Sequence, residues 1–154
     1  MSVEVLNESG TEVDLDHLAR LARFVMDRMR VHPQAELCIK AVDEATMAEL
    51  NEQWMEKEGP TDVLAFPMDE LRPGLLDVEP EEGVLGDLIL APTVAARQGE
   101  AAGHGTLAEI ELLTTHGILH LLGYDHAEAE EHAEMFRLQA ELLAGWGSQA
   151  KAPK

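Results

Sequence analysis

Leu15, Leu18, Leu21, Ala22, Val25 and Met29 recur at steps of three and four, which predicts an amphipathic helix over Asp14 to Arg30, ended by His32-Pro33. Before it, the weak alternation of Val3 to Leu6 predicts a short strand closed by the turn-prone run Asn7 to Gly10. A second strand is expected over Glu36 to Val42. Asp43 then caps a helix over Glu44 to Lys57, with Met47, Leu50 and Trp54 facing inward. Gly59-Pro60 breaks that helix ahead of a compact strand, Thr61 to Phe66. The stretch from Pro67 to Gly83 holds three prolines, two glycines and six acids, a loop composition. Leu85 to Leu90 reads as a fourth strand, and the long connection predicts an antiparallel pair with the third.

Pro92 suits the first turn of a helix over Thr93 to Ala101, closed by Gly103-His104-Gly105. Thr106 and Glu109 form a capping-box signature for the next helix, which runs to Leu122 and is apolar on nearly every side. Such a helix is expected to be buried at the centre, with Gly123 ending it in the left-handed conformation. A last helix is expected over Ala127 to Ala144, with Met135, Phe136, Leu138 and Leu142 turned inward, and then a flexible tail, 145–154. These elements predict one α/β (α+β) domain, 1–144: a small mixed sheet of about four strands packed with about five helices.

A chain of 154 residues buries enough surface for a stable core without disulfides. Its 45% apolar and 27% charged residues exclude collagen-like, disulfide-framework and wholly disordered classes. No apolar run reaches the roughly 18–20 residues of a membrane span, and the opening MSVEVLNESG lacks a secretory signal pattern, so a cytoplasmic protein is expected. The single Cys38 has no partner for a bridge, rules out a Cys-rich zinc site, and is expected as a small core residue.

Thirty Asp and Glu against eleven Lys and Arg give a net charge of −19, which repels polyanions. The distribution is uneven. Arg20, Arg23, Arg28 and Arg30 lie close together, while Gln98 to Phe136 holds no Lys or Arg. A local basic face on the first helix is therefore compatible with the overall acidity.

The chemistry concentrates in HGILHLLGYDH, which carries His116, His120 and His126. Residues four apart on a helix are neighbours, so His116 and His120 can converge on one ion. Gly123 stops the helix and lets the third histidine turn back toward it. Three neutral imidazoles around Zn²⁺ leave its fourth position to water, as in hydrolytic sites. The competing reading is three core histidines bonded to carbonyls, but one shared cation satisfies all three rings at once. The same spacing matches the metzincin protease pattern, except that Gly117 stands where those enzymes carry their glutamate base. Glu109 shares the helical face of His116 but lies about 10 Å along the axis, and is assigned to the capping box.

The string HGILHLLGYDH resembles the signature of the YbeY family of bacterial single-strand-specific endoribonucleases. Pro60-Thr-Asp-Val-Leu-Ala-Phe-Pro67 is similar to the family's PTDVLSFP strand, Leu85-Gly-Asp-Leu-Ile-Leu90 to its LGDI segment, and Asn51 falls where the family has an asparagine. The resemblance implies that His116, His120 and His126 hold one zinc ion at the end of the central helix. No residue decides whether a water on the ion or the RNA's own 2′-hydroxyl attacks, and no catalytic side chain is assigned. It also implies a metal-dependent hydrolase that cleaves single-stranded RNA in 16S rRNA 3′-end maturation and ribosome quality control. Ribosomal small-subunit proteins and an assembly GTPase are the implied partners, with no membrane. Two positions depart from the family. Met55 stands where an arginine is often found, and Ala65 replaces a serine; Lys57 is the nearest alternative cation in sequence.

Asp62, Asp87 and Asp125 are candidates to orient a ligand histidine through its second ring nitrogen. His104 is expected as a surface loop residue, or else as a phosphate donor. Two rival functions are compatible with the same residues: a ribosome-assembly binding factor that zinc only stabilises, and a metallopeptidase.

Overall fold

The structure is a computed structural model, described here for residues 2–69, 71–72, 82–124 and 128–150. Nine elements follow in order: β1 (Ser2–Glu8), α1 (Leu15–Arg28), β2 (Glu36–Val42), α2 (Glu44–Met55), β3 (Val63–Pro67), β4 (Val84–Leu90), α3 (Pro92–Ala102), α4 (Gly105–Leu121) and α5 (Ala129–Trp146). Asp14 and Asp43 cap α1 and α2, accepting from the backbone N–H of His17 at 3.1 Å and Thr46 at 2.7 Å. The strands form one mixed sheet in the order β1-β2-β4-β3. β1, β2 and β4 run parallel, and β3 is antiparallel to β4, as the long connection between them predicts.

Alternation along the strands divides the interior. Leu37 and Ile39 of β2 with Leu85, Leu88 and Leu90 of β4 join Leu18, Leu21 and Val25 of α1 and Ile118, Leu119 and Leu121 of α4 in the main core. Each such side chain, fully buried, contributes about 1.5–3 kcal/mol relative to exposure. On the other side of the sheet, Met47 of α2 packs with Val42, Leu64 and Ile89 in a smaller cluster. α4 runs through the middle, in contact with α1, α3, α5, β3 and β4, and is buried on most of its circumference. Gly86 lets it come close to the sheet. There, at a register shift in β4 with φ +149°, a Cβ would overlap the Phe66 carbonyl oxygen and stand 2.9 Å from Leu121 Cδ2.

Four local expectations are corrected. Trp54 is 61% exposed, because α2 buries only Met47 and Asn51 and the ring of Trp54 meets only that of Phe66, edge-on, among the described aromatic contacts. Cys38 is half-buried and not in the core, since Leu37 and Ile39 take the inward positions of β2. The capping box does not form: α4 begins at Gly105, Thr106 is already helical, and Glu109 is buried instead of turning back to the cap. The last helix runs past its expected end at Ala144, as α5 continues to Trp146, and Trp146 and Ser148 both donate to Glu111 at 2.7 Å. Residues 151–154 lie outside the described set.

Candidate active site

The 3.6-residue period of α4 stacks His116 and His120 on one face at its C-terminal end. Their rings meet edge to face with centroids 4.6 Å apart, and their Nε2 atoms are 3.1 Å apart. Two nitrogens bound at about 2.0–2.1 Å to a tetrahedral Zn²⁺ stand about 3.3–3.4 Å apart, so the pair is set close to the spacing such an ion requires. The negative end of the helix dipole favours a cation at the same place.

After His120 the chain turns as expected. Gly123 adopts φ +97°, its N–H donates to the His120 carbonyl at 3.0 Å, and the Tyr124 N–H reaches back to the Leu119 carbonyl at 3.0 Å. This pair of bonds is the Schellman termination, which reverses the chain direction just before the third expected ligand. Burial pushes the Tyr124 phenol above its ordinary pKa, with the Glu134 carboxylate adding to the shift. His126 and the candidate Asp125 lie outside the described residues. Among the described residues, no group of three or more His, Cys, Asp or Glu gathers where it could hold a metal.

The histidine pair opens on a cavity of about 350 Å³ bounded by α4, β3 and α5. Its polar wall is made by Asp62, Glu109, His116, His120 and Gln139; its apolar wall includes Val63, Ala65, Leu112 and Phe136. Neither Lys nor Arg contributes to the described lining. Met55 is 47% exposed and, with Lys57, stands outside this wall, while Ala65, at the family's serine position, places a methyl group in it. Asn51 is buried and serves the backbone, donating to the Gly59 carbonyl at 2.9 Å.

The candidate orienting carboxylates fall in different places. Asp62 stands in the cavity wall and accepts from the Val63 N–H at 2.7 Å. Asp87 pairs in register with Cys38 on the face of the sheet turned away from α4, where burial first and the Asp87 charge second push the thiol pKa up. The partner seen at the second ring nitrogen of His116 is Gln139, whose Oε1 lies 2.8 Å from Nδ1. Sequence reasoning missed Gln139. Its signal was a polar residue at an inward helical position, four after Met135 and three before Leu142.

His104 is likewise not a surface residue. Its side chain is 2% exposed and bonds through Nε2 to Glu109 Oε1 at 2.7 Å. Gln98, with its amide nitrogen turned toward the acids, donates to Glu109 Oε2 at 3.2 Å and to Asp62 Oδ2 at 3.0 Å, tying two cavity carboxylates together. The direct step from α3 into α4 explains this burial: Glu109 is enclosed between the two helices and meets His104 there.

Gly117 is packed. A Cβ at that position would stand 2.7 Å from Leu88 Cδ2, so any larger residue there, the protease-type glutamate included, would have to displace the Leu88 side chain. Of the four arginines of the first helix and its end, Arg20 faces Asp16 at 3.0 Å and the Arg28 guanidinium lies over the Phe24 ring at 4.7 Å; none lines the cavity.

The sequence profile of the family described as Endoribonuclease YbeY matches residues 4–147. The chain belongs to that family. It is 80% identical over 146 residues to Endoribonuclease YbeY of a Nocardioides species, covering 95% of this chain and 98% of the relative. Against Endoribonuclease YbeY of Thermobifida fusca it is 62% identical over 146 residues, covering 95% and 94%. Among solved structures, TM1509 from Thermotoga maritima superposes with a TM-score of 0.60 at 24% identity, over 94% of this chain and 91% of that one, a likeness of fold. The resemblance read from HGILHLLGYDH is thereby shown over nearly the whole length, while the metal ligands remain a matter for proposal.

Proposed function

We propose that this protein is a zinc-dependent, single-strand-specific endoribonuclease acting in 16S rRNA 3′-end maturation and ribosome quality control, with His116, His120 and His126 holding one ion. The family's relatives carry the name endoribonuclease. The observation that supports the zinc reading is the pair of Nε2 atoms 3.1 Å apart in the wall of a cavity that holds Asp62 and Glu109 but no described Lys or Arg. A phosphodiester entering such an acidic cavity needs a positive centre. A bound zinc ion supplies Lewis acidity and lowers the pKa of water toward neutrality. The chain's own residues hold the rings, through Gln139 on His116, and enclose the reacting group between α4, β3 and α5.

The partners that accord with this reading are single-stranded ribosomal RNA, small-subunit proteins and an assembly GTPase, in the cytoplasm. No helix of the described residues is long and apolar enough to cross a membrane. A ribosome-assembly binding factor with a structural ion is the second reading, favoured by the absence of Lys and Arg from the described lining. A peptidase is disfavoured by Gly117, which leaves the position of the protease glutamate base without a side chain.

Metal analysis beside an RNA-cleavage assay tests the proposal. About one zinc per chain is expected, with both metal and cleavage lost in His116→Ala and His120→Ala. Full metal content in the double variant would refute the ligand assignment. Chelation that melts the protein without cleavage ever having been present would favour the binding factor.

A further inference from the structure

One polar side chain is sealed into the interior beside the histidine pair. Gln139 of α5 is 0% exposed and lies in the cavity wall, on the same buried face as Met135, Leu142 and Leu143. Its Oε1 is 2.8 Å from His116 Nδ1, and its Nε2 is buried without a hydrogen-bond partner among the described residues. An unpaired buried amide N–H is unfavourable, and a methionine of similar shape would fill the space without it. What methionine lacks is a strong acceptor, since its thioether sulfur takes a hydrogen bond only weakly.

An amide oxygen only accepts, so the proton of a neutral His116 sits on Nδ1 and the lone pair on Nε2. That Nε2 is the atom facing His120 Nε2 at 3.1 Å. Free histidine in water favours the opposite tautomer, with Nε2 protonated and unable to bind a cation. We propose that Gln139 is a positioning residue that holds His116 in the Nδ1–H tautomer and keeps its Nε2 lone pair toward the cavity, ready to coordinate a divalent cation. The step toward the cation rests on the zinc reading above; the tautomer does not.

Long-range ¹H–¹⁵N correlation spectra of the imidazoles, recorded on the full metal-free chain near pH 8, above the ordinary histidine value of about 6.5, read the tautomer directly. Wild type is expected to show His116 protonated at Nδ1, and Gln139→Glu, which keeps the acceptor, to show the same. In Gln139→Met the proton is expected on Nε2, with zinc affinity, measured by competition with a chromophoric chelator, down by about 10–100-fold. A wild-type His116 protonated at Nε2 overturns the proposal whether or not any variant folds, as does a Gln139→Met protein with tautomer and zinc affinity unchanged. A wild type that shows the Nδ1–H signature but binds no zinc refutes the metal reading and the second half of this proposal, and leaves the tautomer assignment standing.

Discussion

The indole N–H of Trp146 donates across 2.7 Å to the carboxylate of Glu111, fastening the last turn of α5 to the buried middle of α4. His17 of α1 meets the same carboxylate at 2.9 Å and Ser148 at 2.7 Å, so one acid ties three segments together. Trp146 also packs on Phe24, with centroids 5.3 Å apart. Trp146→Phe keeps much of that packing and removes one hydrogen bond to a charged acceptor, a loss of about 1.5–3 kcal/mol. Urea unfolding of the full chain should show it, with Ser148→Ala falling below it. A Trp146→Phe protein as stable as wild type would mean that Glu111 is satisfied without the indole.

Acid sensitivity has a traceable source between α2 and α3. Hydrogen bonds from Arg97 and then Thr93 lower the Glu44 carboxyl from an ordinary 4.5 to about 2. A carboxylate whose pKa is lower in the folded than in the unfolded state stabilises the fold fully above about 4.5, and that contribution disappears as pH falls toward 2. The stability difference between wild type and Glu44→Gln should therefore be constant near neutrality and shrink through this window. The effect will be small, because both groups are exposed to solvent. A difference that grew on acidification would have the wrong sign.

Two glycines make helix contacts that a methyl group would disturb to different degrees. At Gly99 a Cβ would overlap the backbone carbonyl of Gly105, so α3 and the first turn of α4 would have to separate. At Gly117 it would stand 2.7 Å from the end of the Leu88 side chain, which can rotate within a full core. Overpacking of that kind costs about 1–3 kcal/mol, partly offset by the roughly 1 kcal/mol that alanine gains over glycine in a helix. Gly99→Ala should be the more destabilising of the two by denaturant midpoint, at or above the top of that range. An order reversed from this would show that α3 and α4 can separate at little cost.

Much of this architecture was readable in the residues because local chemistry and burial agree. Asp43 caps α2, the alternating strand Glu36–Val42 lies where its pattern put it, and Gly123 ends α4 in the left-handed region. The pairing of His116 with His120 followed from helical spacing alone. What could not be read depends on contacts far apart in sequence. Gln139 meets His116 across 23 residues. Glu109 looked like a cap acid because its sequence distance from Thr106 is right, yet the close approach of α3 at Gly99 encloses it with His104. Trp54 is apolar at an inward-looking position, but among the described residues no element covers it, and it is left 61% exposed.

The bend after α4 gives a further test of the site. Gly123 holds φ +97°, and a Cβ there would stand 2.7 Å from Arg72 Nη1. Alanine must therefore adopt a left-handed conformation at about 1–2 kcal/mol and also displace a guanidinium, or else undo the termination that turns the chain toward position 126. Because His116 and His120 belong to the helix proper, Gly123→Ala should leave their rings together. If His126 completes a three-histidine site, the variant should keep most of its helix content by circular dichroism yet lose zinc affinity by more than its stability loss explains. Zinc binding as tight as in wild type, in a folded Gly123→Ala protein, would separate the bend from the metal site and leave His116 and His120 in need of a different third ligand.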